Sequence, residues 1–68
     1  MNTTQTRNEY KAAWKAWRKA NKIRNALTRL TGNRNGPGKA WADETRIIMK
    51  RAERQHRAAL RYEQAQEQ

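Results

Sequence analysis

The chain contains no cysteine, no phenylalanine and no valine, and it has one histidine and one proline. Without cysteine there are no disulfides to brace the fold; the absence suits a reducing compartment without requiring one. His56 has no ligand cluster around it, so neither a metal nor any other cofactor is expected. Apolar runs are short, far below the roughly 20 residues of a membrane-spanning helix. The first residues, Met1 to Thr6, carry no apolar leader segment, and a cytoplasmic location is expected, near the nucleoid or in a host cell if the protein is viral. Asn2-Thr3-Thr4 matches a glycosylation sequon and, with no secretion signal, reads as chance.

Large aliphatic residues are also scarce: Ile23, Leu27, Leu30, Ile47, Ile48 and Leu60, with Met49 beside them. A core of this size contributes only about 3–5 kcal/mol net in so small a domain. Close packing, self-association or a partner has to supply the rest.

What the chain does have is helical pattern. Thr6 and Glu9 match a capping box, which predicts a helix over about residues 7–31 with residues 1–5 flexible. Ala13, Ala16, Ala20, Ile23, Leu27 and Leu30 recur in alternating steps of three and four, the pattern of a packed seam. Gly32 suits the helix end, and all the glycine and proline of the chain falls within 32–38, which reads as a turn. Pro37 suits the first turn of the next helix, with Gly36 as its cap. A second helix is expected over about 39–62, with Trp41, Thr45, Ile48, Ala52, Gln55, Ala59 and Tyr62 as its seam and 63–68 as a frayed tail. The fold class is therefore all-α: one domain over 6–62, an antiparallel two-helix hairpin that could pair into a four-helix bundle. Trp41 is expected in the seam. A monomer is slightly favoured over a homodimer, because chains of net charge +10 repel each other at low salt.

The other abundance is positive charge: sixteen Lys and Arg against six acids. Lys11, Lys15, Arg18, Lys22 and Arg29 fall on one face of the first helix, and Lys19 adds to its charge. Arg46, Lys50, Arg54, Arg57 and Arg61 make a second stripe, and Arg34 and Lys39 link the two across the turn. Ordinary surface helices alternate signs, since like charges four residues apart cost a few tenths of a kcal/mol. A face that keeps this repulsion suits an anionic partner. Arginine outnumbers lysine ten to six, which tilts the choice to phosphate and base contacts. Trp14 and Trp17 could stack on unpaired bases, anchor a protein interface, or cover the alanine-rich half of the hairpin. Asn21 and Asn25 lie near the basic face and could read base edges.

Enzyme chemistry is not expected. Gly32 to Lys39 has a superficial likeness to a phosphate-binding loop, but the spacing is wrong, no Ser or Thr follows the lysine, and it follows a helix instead of a strand. His56 has no nucleophile or ordered carboxylate pattern beside it. Membrane-surface binding is disfavoured, because the apolar stripe of the first helix is mostly alanine through its first half. The expected function is a small non-enzymatic regulator that binds DNA or RNA through its Lys/Arg face. The alternative is a small inhibitor or adaptor of the kind phages make. It would dock on an acidic surface of a host machine such as RNA polymerase or a nuclease, with Trp14 and Trp17 as anchors.

Overall fold

Asn2 starts the first helix. Its side-chain oxygen accepts the Thr4 amide at 2.8 Å while its own backbone is still extended, so one of the unpaired donors of the first turn is satisfied. The computed structural model describes residues 2–67. Helix α1 spans Thr3–Thr31 and helix α2 spans Lys39–Glu67, packed side by side and antiparallel into a rod of 54 × 15 × 13 Å. The start differs from the expected one at Thr6, and residues 3–5, expected to be flexible, are helical. Thr6 lies inside the helix, donates its hydroxyl to the Thr3 carbonyl at 3.1 Å and is buried. The far end also differs: α2 continues through the expected tail to Glu67, while Gln68 lies outside the described residues.

Gly32 ends α1 in the left-handed region at φ 70°, its amide on the Thr28 carbonyl at 2.8 Å. Asn33 then folds the turn, its side chain accepting the Asn35 amide and its carbonyl the Gly36 amide. Arg24 reaches back from α1 and donates from Nε and Nη2 to the Arg34 carbonyl at 3.4 and 3.1 Å. Pro37 lies in the turn and not in the first turn of α2. Gly38 precedes the helix and its carbonyl accepts the Ala42 amide. Gly38 has φ 85°, and a Cβ there would stand 3.2 Å from Arg24 Cα and 3.3 Å from Leu27 Cδ1. Both the backbone conformation and the close approach to α1 require glycine.

The seam keeps its predicted period and takes a different set of side chains. On α1 it runs through Thr6, Tyr10, Ala13, Trp17, Ala20, Arg24 and Leu27; on α2 through Ala42, Thr45, Met49, Ala52, His56 and Ala59. Ala13, Ala20, Leu27, Thr45, Ala52 and Ala59 are as expected. Every other α1 position between them moves one residue on, from Ala16 to Trp17 and from Ile23 to Arg24. On α2 the same step takes Trp41 to Ala42, Ile48 to Met49 and Gln55 to His56. Alanines at the contact let the backbones approach closely, and large side chains at those positions would hold them apart. Leu30, Trp41, Ile48 and Tyr62 are consequently exposed, correcting their expected place in the seam.

Polar pairs also cross between the helices. Thr6 Oγ1 stands 3.0 Å from His56 Nδ1. A hydroxyl has one proton to give, and with that proton on Thr3 the imidazole Nδ1 is the donor to Thr6. Tyr10 donates to Glu53 at 3.2 Å, and the Arg24 guanidinium lies 3.8 Å from the Asp43 carboxylate. No buried side-chain polar atom among the described residues lacks a partner.

Candidate nucleic-acid interface

The antiparallel seam gives the hairpin two flanks, and the sequence loads them differently. Residues that follow the Ala13, Ala20 and Leu27 seam positions share a flank with those that follow Thr45, Ala52 and Ala59. Asn21 and Arg46 accordingly line one open groove of about 380 Å³ near the turn, together with Trp17, Arg24, Arg34 and Lys50. Lys11, Trp14, Arg18, Lys39 and Arg57 continue this flank along the rod. Arg18 lies over the Trp14 ring, its guanidinium carbon 5.2 Å from the ring centroid. This cation–π contact holds a charge beside a partly exposed aromatic surface. Tyr10, Lys11, Trp14 and Lys15 frame a shallow hollow next to it.

The acids on this flank are already paired. Asp43 meets Lys39 at 2.6 Å and Arg24 at 3.8 Å; Glu53 meets Arg57 at 3.0 Å and accepts from Tyr10. The hydrogen bond from Lys39 holds the Asp43 carboxyl below its ordinary range, and the charges of Lys39, Arg24 and Arg46 add to this against partial burial. Burial raises the Tyr10 phenol, and Glu53 opposes its ionisation further, with Arg57 acting the other way.

Lys15, Lys22 and Arg29 on α1, and Arg54 and Arg61 on α2, lie on the outer backs of the helices, next to the same flank. Part of the expected band, Lys11, Arg18, Lys39, Arg46, Lys50 and Arg57, thus shares one flank, with Arg34 at the turn, and the rest faces outward from the two backs. Lys19 sits past the back of α1 towards the other flank, yet lines an open hollow with Trp14, Lys15, Arg18 and Lys22; Arg51 lies on the other side. Asn21 lines the groove; Asn25, seven residues after Arg18, lies on the same flank outside the groove lining. Trp14 and Trp17 divide: Trp14 stays 40% exposed on the basic flank, while Trp17 turns into the seam at the groove floor.

Arg24 is the groove residue that sequence reasoning missed. A seam containing Ile23 puts Arg24 outside, whereas the structure leaves its side chain only 15% exposed. The signal was the pair it forms: Asp43 near the start of the second helix, within reach of an arginine across a short turn.

Among the described residues, no helix is long and apolar enough to cross a membrane. Comparison with protein-family models, with curated proteins and with solved structures gave no match.

Proposed function

We propose that this hairpin is a non-enzymatic nucleic-acid-binding protein whose basic flank lies along the phosphate backbone. The observation that carries the reading is the gathering of cations from both helices on one flank whose two acids are already neutralised by neighbours. A field of one sign along a rod draws a polyanion and gains from release of its counterions.

Shape narrows the mode of binding. The rod is 15 × 13 Å across and its basic flank spans both helices. The B-DNA major groove, about 12 Å wide, takes one helix and not a pair. The flank therefore suits backbone contact, with weak sequence preference, and Trp14 is placed to stack on a base where strands are unpaired. Arg18 and Trp14 together offer such a base both a charge and a ring.

Gel shift with a short duplex and a single strand tests this. Replacing Lys11, Arg18 and Lys50 with Glu is expected to weaken binding at least a hundredfold while the helical signal is retained; an unchanged shift rejects the flank. The second reading, docking on an acidic protein surface, draws on the exposed Trp14. Capture from lysate with and without nuclease separates the two. A partner lost on nuclease treatment supports nucleic acid, and a retained protein band supports the alternative.

A further inference from the structure

The opposite flank is apolar. It carries the residues that precede the Trp17, Arg24, Ala42 and Met49 seam positions: Ala16, Ile23, Trp41 and Ile48. Tyr10 stands level with Glu53, and Arg24 with Gly38, so Ile23 stands close to level with Trp41, and Ala16 with Ile48. Leu30 extends this surface towards the turn. The exposures are large for such side chains: 37% for Ile23, 42% for Trp41, 49% for Ile48 and 82% for Leu30.

We propose that a second copy of this chain covers this flank, pairing two hairpins into a four-helix bundle. Three observations favour a copy of itself. The first is area. These side chains leave on the order of 450 Å² of apolar surface open, within the range of the largest patch on a typical monomer. Two copies meeting there would bury about 900 Å², the scale of a weak, reversible interface. The second is charge. The ionised groups on this flank are Glu9 and Glu44 against Lys19 and Arg51, two of each sign. A face balanced in this way can meet its own image across a two-fold axis, whereas an acidic partner would be drawn to the other flank. The repulsion between two +10 chains acts mainly between basic flanks that pairing points away from each other. The third is the hairpin's own core, which fully buries four alanines, Met49 and Thr6 and none of the isoleucines. A seam that slight needs further apolar burial to hold a long rod.

Pairing makes the molecule bivalent. Each copy turns its basic flank outward on opposite sides of the bundle, so that two nucleic-acid segments could be held at once. That consequence rests on the nucleic-acid reading; the pairing does not.

Sedimentation of the full chain without nucleic acid, across two decades of concentration, tests the pairing directly. A species of twice the 8.1 kDa chain mass is expected, with a melting temperature that rises with concentration. Ile48→Glu and Ile23→Glu should each weaken association at least tenfold, and Lys50→Glu on the other flank should leave it unchanged. If the Glu variants lose helicity, the concentration dependence of the unaltered chain still decides. A monomer throughout, with concentration-independent melting, overturns the proposal, as does a dimer indifferent to both Glu variants. Neither result touches nucleic-acid binding, which is measured separately.

Discussion

Single residues join the two helices where the seam has no large aliphatic pair. Thr6 is nearly fully buried and is held between the Thr3 carbonyl and His56. Thr6→Val keeps the shape and strands the imidazole donor, at an expected cost of about 1–3 kcal/mol in thermal or urea melts. Asp43 has its carboxyl pKa lowered by Lys39, Arg24 and Arg46. A lowered folded value means the unfolded chain binds the proton more readily. The stabilisation is therefore present above the ordinary value of 3.8 and is lost as pH falls through the lower folded value. Melts at acid pH should show a fall below about pH 4 that is smaller in Asp43→Asn. Because pairing would make melting concentration-dependent, variants are compared at one concentration.

Elements were legible in period and less so in phase. Alternating three- and four-residue steps, the glycines of the turn and the run of alanines identify two helices and their antiparallel packing. The seam lies one residue further on at half its positions in both helices, because the reading followed apolar spacing and left Arg24 and His56 outside. Trp17, Arg24, Ala42, Met49 and His56 take those positions instead, and Ile23, Trp41 and Ile48 lie outward. What would have corrected the phase is polar: Thr6 with His56, Tyr10 with Glu53 and Arg24 with Asp43 can all meet in only one register. The start of α1 was misplaced for a related reason. Thr6 and Glu9 match a capping box, but Asn2 is the better cap and Thr6 is claimed by the seam. At the turn, Gly38→Ala meets both a left-handed backbone and the Arg24 backbone. A loss of about 1–2 kcal/mol is expected from the conformation alone. Gly32→Ala shares the left-handed φ but meets open space, so it should cost less.

At the scale of the whole molecule, the hairpin separates two chemistries that are mixed in the sequence. Basic residues from both helices gather on one flank and the backs beside it, while isoleucines and Trp41 gather on the other. The basic stripes were legible because each has helical spacing. Their meeting on one flank depended on the true phase of the seam. The most direct measurement is the affinity for a short DNA duplex, by fluorescence anisotropy, over a series of salt concentrations. Six to eight phosphate contacts along the basic flank give a slope of log K against log salt of about −5 to −7. The triple variant at Lys11, Arg18 and Lys50 should flatten it by about three. A slope near zero, or one that the variant leaves unchanged, contradicts a basic flank that binds phosphate.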